Sequence, residues 1–375
     1  MRIGIDATAL PPQPVGAGNY IIQLIRALAG INANDEYVIF AQQRGHALIS
    51  LPENESFEWI ILEDRNPGSR LIWEQTLFPR LIRKSGVDLL HSLHYTRPVR
   101  LPCASVVTFH DMTFFLYPEL HTRAKRLFFP LAIRASARQA DALTAISEST
   151  RQDAIRVLGI SPEKITATQL GVDPAFRPIN DTAAMRKIAE KYDLPDRFIL
   201  YVGLIEPRKN LPMLINAYKC LIDGGENYKL VLVGRYGWMY EDLLRQINNL
   251  DLGGMVHFTG YVSQEDLPLV YNLSSLFVYP TIYEGFGLPA LEAMACGVPV
   301  ITTDVSSLPE IVGEAGMLVP VNNVEALYGA MIEVLGDEDL CREMINKGIQ
   351  RAAKFTWEQT AKLTLQVYQQ VMQTG

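Results

Sequence analysis

The feature that most constrains this chain is a regular alternation of short strand-forming runs with helical patterns along most of its length. Runs rich in valine, isoleucine, leucine and aromatic residues are separated by stretches of helical periodicity. This alternation is typical of parallel sheets with helices on both faces, because consecutive parallel strands need a long crossover connection. In such sheets, ligands bind beyond the carboxyl ends of the strands.

The predicted strands form two series. The first comprises 2–7, 37–41, 59–62, 88–92, 105–110 and 142–147, and the second comprises 198–203, 229–234, 256–259, 276–279, 298–303 and 317–319. Between the series, the segment 171–178 contains two prolines and a glycine, which is typical of a linker. A helix is predicted to begin near Asp181, and 355–372 is predicted to form a partly buried helix. The 375 residues therefore divide into two αβ domains, as this length favours.

Composition excludes several classes of protein and indicates a compartment. No run of about 18 apolar residues occurs, so no membrane-spanning helix is predicted, and the first residues lack the pattern of a signal peptide. The net charge of −7 argues against nucleic-acid binding, which needs a basic surface to neutralise phosphates. The four cysteines form no CxxC pair, which is typical of a reducing compartment rather than of disulfides or a metal site. We therefore expect a cytoplasmic protein.

The most informative segment is 283–297, which follows a predicted strand, turns on two glycines and enters a helix. The N–H groups around Gly287 and Leu288 would point out of the helix start and form an anion site suited to a diphosphate. Glu284 precedes the turn, where its carboxylate could bind a sugar hydroxyl. Glu292 lies about one turn into the helix, within reach of a ribose diol. The alternative is an ordinary loop with one solvated glutamate and one that favours the helix dipole.

The two glutamates, separated by seven residues in the context Glu-Gly-Phe-Gly-Leu-Pro, resemble the donor-binding motif of retaining glycosyltransferase family 4. The resemblance covers essentially the whole chain and implies the α/β GT-B fold, in which two Rossmann-like domains have parallel sheets facing a central cleft. It implies an acceptor-binding domain over 1–175, a donor-binding domain over 176–355 and a C-terminal helix over 356–375 that packs back on the first domain. It also implies that Glu284 contacts the donor sugar and that Glu292 holds the ribose.

A second segment, 201–211, places Arg208 and Lys209 after a predicted strand that ends in Gly203. An arginine fork and a lysine point charge would offset the charge accumulating on a departing nucleoside diphosphate. The alternative is a solvated basic loop. Lys209 matches the family lysine. Many family members have an arginine directly after the glycine, where this chain has Leu204, and Arg208 is expected to supply that guanidinium.

Other positions follow from the same resemblance. The loop containing Gly16 and Gly18 resembles the family's glycine loop, which closes over the donor phosphates, and a plain tight turn is the alternative. Its broken glycine pattern disfavours an NAD dehydrogenase. His110 ends a predicted strand and is expected to hydrogen-bond the donor sugar, although a purely structural hydrogen bond is equally common for such a histidine. Tyr261 and Val262 are expected near the base pocket.

The complete predicted site has a catalytic and a donor-binding group. The catalytic group is His110, Glu284, Arg208 and Lys209, and the donor-binding group is Gly16, Gly18, Gly203, Tyr261, Val262, Phe286, Gly287, Leu288 and Glu292. No metal or other cofactor is expected. The metal-binding DxD pattern is matched by Asp337-Glu338-Asp339, but this match lies between predicted helices and is interpreted as a helix start.

These features predict a retaining glycosyltransferase that moves a hexosyl group from a nucleoside-diphosphate sugar to a hydroxyl of a saccharide or lipid-linked saccharide. The stretches 110–115 and 205–210 resemble bacterial mannosyltransferases of polysaccharide assembly, which favours GDP-mannose over UDP-sugars. A basic and apolar stretch at 123–138, interrupted by Pro130, could rest peripherally on the inner face of the cell membrane; a solvated helix is the alternative. A sugar-nucleotide hydrolase or epimerase of the same fold, or a non-catalytic nucleotide-binding protein, stays open.

Overall fold

The computed structural model describes residues 1–31, 35–51 and 56–374, which divide into two units. The first unit comprises Met1–Gly171 with Thr356–Gly375, and the second comprises Val172–Phe355. The sequence places these boundaries after residues 175 and 355. Gly375, at the end of the predicted C-terminal helix, lies outside the described residues. No helix in the described ranges is long and apolar enough to span a membrane.

The first unit is built on a parallel sheet of seven strands in the order β3-β2-β1-β4-β5-β6-β7. Its strands are β1 (Arg2–Asp6), β2 (Glu36–Gln42), β3 (Phe57–Leu62), β4 (Leu89–Ser92), β5 (Ala104–Phe109), β6 (Ala142–Ala145) and β7 (Ile165–Ala167). Its first seven helices are α1 (Ala17–Ile31), α2 (Gln43–His46), α3 (Pro67–Thr76), α4 (Phe78–Ser85), α5 (Thr113–Leu116), α6 (Arg123–Gln139) and α7 (Glu148–Leu158). The central strands are buried on both faces, as in sheets covered by helices.

The second unit repeats this design on a parallel sheet of six strands in the order β10-β9-β8-β11-β12-β13. Its strands are β8 (Phe198–Val202), β9 (Lys229–Val233), β10 (Val256–Gly260), β11 (Leu276–Tyr279), β12 (Val300–Thr303) and β13 (Met317–Val319). Its helices are α8 (Thr182–Tyr192), α9 (Leu211–Asp223), α10 (Tyr240–Asn249), α11 (Leu267–Leu273), α12 (Leu288–Ala295), α13 (Leu308–Val312), α14 (Val324–Gly336) and α15 (Glu338–Ala352). Helix α16 (Trp357–Thr374) then returns to the first unit and packs against α1. The predicted fold class of two Rossmann-like domains with parallel sheets is confirmed.

Two local predictions are wrong. Strand β7 is absent from the predicted series because its three residues are too few to give a periodic pattern, yet it pairs in parallel with β6. The predicted interruption at Pro130 does not occur, since α6 runs through it. A proline inside a helix costs about 3 kcal/mol. Phe129 stacks on Phe114 with ring centroids 4.3 Å apart, and Ile133 is wholly buried, so packing on either side of Pro130 holds the helix in place.

A buried polar network joins α16 to the first sheet. The hydroxyl of Tyr368 lies 2.6 Å from Nδ1 of His91, whose Nε2 lies 2.8 Å from the Thr108 hydroxyl. The Thr108 hydroxyl also bonds Tyr20 at 2.9 Å and Thr144 at 2.8 Å. Burial lowers the pKa of His91 to about 3, so the ring is neutral. Since both ring nitrogens are engaged, His91 has a structural role.

Candidate active site

Two segments distant in sequence meet at the carboxyl edge of the second sheet. Strand β8 leads through Gly203 to Arg208 and Lys209, and its neighbour β11 leads to the turn that contains Glu284. The amide of Ile282 donates to the carbonyl of Arg208 at 3.0 Å, so the two segments are joined through their backbones. Neighbouring parallel strands therefore place the predicted cations beside the predicted carboxylate.

Glu284 is the centre of this cluster. Its Oε1 lies 2.5 Å from Nζ of Lys209 and 3.0 Å from Nη1 of Arg208. The hydroxyls of Thr281 and Tyr279 donate to the same oxygen at 3.0 and 3.1 Å. Burial alone would raise the pKa of Glu284, but the two cations outweigh burial and lower the pKa to about 2. The carboxylate is therefore ionised at neutral pH.

Both cations of the cluster are held by acidic and hydroxyl partners. Lys209 is buried and donates to the Tyr279 hydroxyl at 2.5 Å as well as to Glu284, and Arg208 also pairs with Glu206 at 3.0 Å. Burial lowers the pKa of Lys209, and Arg208 lowers it further, while Glu284 opposes both. A buried ammonium needs an anionic partner, because a lone charge would be costly to desolvate, and Glu284 is that partner.

The turn after this cluster ends at the start of α12. Gly287 has φ +108°, in the left-handed region, and a Cβ atom placed on it would lie 2.7 Å from the side chain of Leu308. The hydroxyl of Ser307 donates to the carbonyl of Phe286 at 2.6 Å, which fixes the turn. Helix α12 begins at Leu288, and the first amides of a helix have no partner within it and carry partial positive charge. That these amides bind an anion stays a prediction.

Glu292 lies in α12 and is also buried. The hydroxyl of Tyr271 donates to its Oε2 at 3.1 Å. Burial and the charge of Asp173 raise the pKa of Glu292, and the hydrogen bond from Tyr271 lowers it. The resulting pKa is about 7. Glu284 and Glu292 are each 8% exposed. The alternative's expectation of a solvated glutamate is therefore wrong.

Replacing Glu292 by glutamine should change how stability depends on pH. A carboxyl with a pKa raised from 4.5 to about 7 binds a proton in the folded state that the unfolded state has already lost. The contribution of Glu292 to the wild-type free energy of unfolding should therefore fall by about 3 kcal/mol as the pH rises from 4.5 to 7. Glu292→Gln should lack that component. Paired thermal melts across pH 4.5–8 measure it, with exposed Glu241→Gln as the control, and parallel pH profiles for wild type and Glu292→Gln would contradict the prediction.

The ends of β9 and β10 carry an exposed cation and exposed aromatic rings. The guanidinium carbon of Arg235 lies 5.3 Å from the ring centroid of Tyr261, a residue that is 41% exposed. Val262, beside it, is buried. A Cβ atom placed on Gly234 would lie 1.9 Å from the carbonyl oxygen of Gly203, so only glycine lets the ends of β8 and β9 approach this closely. The predicted Tyr261 position thus lies beside a flat, cationic surface.

The first unit carries the remaining predicted residues. Gly16 has φ +49° just before α1, with no atom within 4 Å of a Cβ placed on it, whereas a Cβ on Gly18 would lie 2.8 Å from Pro14. His110 directly follows β5, and its Nε2 lies 2.8 Å from the carbonyl oxygen of Leu93. Burial lowers the pKa of His110, so the neutral ring donates from Nε2 and presents Nδ1 as an acceptor.

The discounted DxD match is a helix cap. Oδ1 of Asp337 accepts from the amides of Asp339 and Leu340 at 2.9 and 3.0 Å, at the start of α15. Ser147 likewise caps α7 by accepting from the Thr150 amide at 2.9 Å. Across the ranges that the structure describes, no group of three His, Cys, Asp or Glu side chains is arranged to hold a metal ion.

The sequence prediction missed the hydroxyl and acidic partners of the site. Tyr279 and Thr281 bond Glu284, Tyr271 bonds Glu292, and Glu206 pairs with Arg208. The sequence pattern could have indicated Tyr279 and Thr281. They stand at the carboxyl end of a predicted strand, which is the criterion that selected His110.

Comparison with known proteins identifies the family of the chain. The model of glycosyl transferases group 1 matches residues 184–351, and the model of Glycosyltransferase Family 4 matches residues 14–176. The chain is 31% identical over 369 residues to O-antigen chain mannosyltransferase B of Escherichia coli, covering 94% of this chain and 95% of that protein. It is 33% identical over 295 residues to serotype-specific mannosyltransferase WbdA of E. coli, covering 76% of this chain but only 36% of WbdA.

The fold is also that of a solved structure. Sucrose-phosphate synthase from Thermosynechococcus elongatus has a TM-score of 0.79 to this chain, with 22% identity and full coverage of both chains. Two family models together match most of the chain, and a relative above 30% identity matches it almost end to end. The chain therefore belongs to glycosyltransferase family 4, with the GT-B fold, and is a glycosyltransferase that takes a nucleotide-sugar donor and a saccharide acceptor.

Proposed function

We propose that the protein transfers a mannosyl group from GDP-mannose to a hydroxyl of a saccharide acceptor, retaining the anomeric configuration. The observation that carries the proposal is the buried cluster in which Glu284 holds Arg208 and Lys209 at the start of α12. Two relatives that match much of the chain are named as mannosyltransferases, which supports mannose as the sugar.

The proposed chemistry depends on neutralising the departing GDP. Arg208, Lys209 and the first amides of α12 supply positive charge where negative charge would develop on the leaving diphosphate. Four groups already engage Oε1 of Glu284, so Oε2 is the atom offered to a mannose hydroxyl. Glu292 is proposed to accept from the ribose hydroxyls. In the first unit, His110, Gly16 and Gly18 are the proposed contacts for the sugar and phosphates.

These cations also support a metal-independent reaction. Two buried side-chain cations and a helix start offer the charge stabilisation that a divalent ion would otherwise supply. Glu284 is tied to both cations, so it is a poor candidate for a covalent nucleophile. Attack by the acceptor hydroxyl from the face of the leaving group, with the departing phosphate accepting its proton, fits retention without a covalent intermediate.

The positions of Arg235 and Tyr261 favour guanine over uracil as the base of the donor nucleotide. An arginine fork can donate to both O6 and N7 of guanine, a pattern that uracil lacks, and the Tyr261 ring offers a stacking surface beside it. We expect GDP to raise Tm more than UDP does at equal concentration, because a ligand that binds only the folded state stabilises it. Arg235→Ala should weaken GDP binding about tenfold and leave UDP binding within twofold.

A thermal-shift panel of GDP, UDP, ADP and their sugars measures this preference. Arg186→Ala, an exposed arginine on α8, serves as the matched control and should behave as wild type. Larger shifts with UDP than with GDP would overturn the choice of base. Incubating GDP-mannose without acceptor then separates transfer from hydrolysis, because rapid release of free mannose would favour a hydrolase.

We further propose a lipid-linked saccharide as the acceptor, with peripheral contact at the inner face of the cell membrane. On α6, the exposed fractions of Leu127, Phe128 and Leu131 are 75%, 42% and 69%. The same helix carries exposed Arg123 and Arg134. Apolar side chains interspersed with cations are typical of a helix that lies on an anionic lipid surface.

A further inference from the structure

A cavity of about 710 Å³ lies in the first unit between α3 and α6, and none of the proposed donor-site residues lines it. Its walls are apolar, formed by Leu71, Val99, Phe128 and Leu131. Its volume falls in the range of pockets that bury small ligands. Val99, Phe128 and Leu131 are largely exposed, so the walls present apolar surface to whatever enters.

The floor of this α3–α6 groove contains a buried cation with an unsatisfied donor. Arg97 is 8% exposed, and its Nη1 donates to Oε1 of Gln139 at 3.0 Å, while its Nε has no hydrogen-bond partner among the described residues. No carboxylate lies within ion-pair distance of Arg97 in the described ranges. A buried guanidinium donor without an acceptor is costly unless a ligand supplies one. Arg100, exposed at the rim, adds a second cation.

The one acid in the groove lining is already neutralised. Glu74 pairs with Arg70 at 2.9 Å, and its other contacts are the Thr96 hydroxyl at 3.0 Å and the Gln75 amide at 2.9 Å. Burial raises the pKa of Glu74, and Arg70 opposes this. The cations of the lining therefore favour an anion, although the lining also contains a carboxylate.

We infer that the α3–α6 groove binds the phosphate and the adjoining hydrocarbon chain of the lipid-linked acceptor. The lining of the groove matches the two parts of this ligand. The apolar walls would pack against the hydrocarbon chain. Arg97 and Arg100 would donate to the phosphate oxygens, because arginine donors suit phosphate geometry. The inference rests on the proposed transfer to a lipid-linked saccharide. It names the part of the acceptor that the groove recognises and the side chains that recognise it.

Binding of dodecyl phosphate below its micelle concentration, measured by calorimetry on the full chain, tests the inference. Inorganic phosphate has the charge without the chain, and dodecyl maltoside has the chain without the charge. Each should bind at least tenfold more weakly than dodecyl phosphate. Arg97→Gln should weaken dodecyl phosphate binding at least tenfold, because a hydrogen bond to a charged group is lost. Arg100→Gln changes an exposed side chain, so it tests the phosphate contact without disturbing the fold, and it should weaken binding severalfold.

Two neighbouring side chains on α6 separate the groove from general membrane contact. Phe128 lines the groove and Leu127 does not, although Leu127 is the more exposed. Phe128→Ser should weaken dodecyl phosphate binding about tenfold, and Leu127→Ser should stay within twofold of wild type. Equal losses in both variants, equal binding of dodecyl maltoside and dodecyl phosphate, or unchanged binding in Arg97→Gln and Arg100→Gln would overturn the inference.

A second measurement distinguishes a failure of the groove inference from a failure of the proposed function. GDP binding by each variant should equal that of wild type, since the groove side chains belong to the first unit and the proposed base contacts to the second. Dodecyl phosphate binding without any turnover of GDP-mannose would contradict the proposed transfer alone. Turnover with a water-soluble saccharide acceptor, but no binding of dodecyl phosphate, would contradict the groove alone.

Discussion

Replacing Glu284 by glutamine is expected to lower mannosyl transfer at least a hundredfold, a loss typical of removing one electrostatic group from an active site. The amide cannot balance Arg208 and Lys209, and it offers a sugar hydroxyl a weaker acceptor. Breaking a buried ion cluster on one side should also lower the free energy of unfolding at pH 7 by about 3 kcal/mol. Initial rates and urea unfolding measure the two effects.

The stability effect of Glu284 should depend on pH with a defined sign. Its folded pKa is lowered to about 2 from an ordinary value of 4.5, so its contribution is present above pH 4.5 and is lost as the pH falls toward 2. The difference between wild type and Glu284→Gln should therefore shrink as the pH is lowered below 4.5. Glu241→Gln, at an exposed glutamate in the same unit, is the control. A Glu284→Gln protein with full transfer activity would contradict the role of Glu284 in the reaction.

Replacing Lys209 by methionine is expected to separate activity from stability. Methionine has similar length but no charge, so the leaving diphosphate loses a cation, and transfer should fall at least a hundredfold. Glu284 keeps Arg208 as its partner, and desolvating the lysine no longer opposes folding. The free energy of unfolding should therefore change by less than about 1 kcal/mol.

Kinetics and melting of the same Lys209→Met preparation test this separation. Lys187→Met removes an exposed lysine from α8 and should leave both quantities unchanged. A large loss of stability with near-normal transfer would show that Lys209 serves the fold rather than the reaction.

The fold was largely predictable because its signals are local. Strand and helix alternation, the linker at 171–178 and the capping side chains at Asp181 and Ser147 each lie within a few residues of the element that they specify. The two failures have different origins. Strand β7 has too few residues for a pattern, and Pro130 is tolerated because of packing that its neighbours make with distant residues.

The candidate site was predictable in its residue types but not in its contacts. Glu284, Lys209 and Arg208 follow from the motifs, whereas the direct ion pairs between them join positions 75 and 76 residues apart. No local pattern reports such a pairing, since it depends on β8 and β11 being neighbours in the sheet. The same holds for the groove, where Arg97 meets Gln139 only through the packing of two helices.

The return of α16 to the first unit affects the order in which this protein can fold during synthesis. Tyr368 fills a position in the first core and bonds His91 there, so that core is incomplete until the ribosome has added α16. The second unit needs no later residue than Phe355. Domains usually finish folding in the order in which they emerge, but here the first unit is completed after the second.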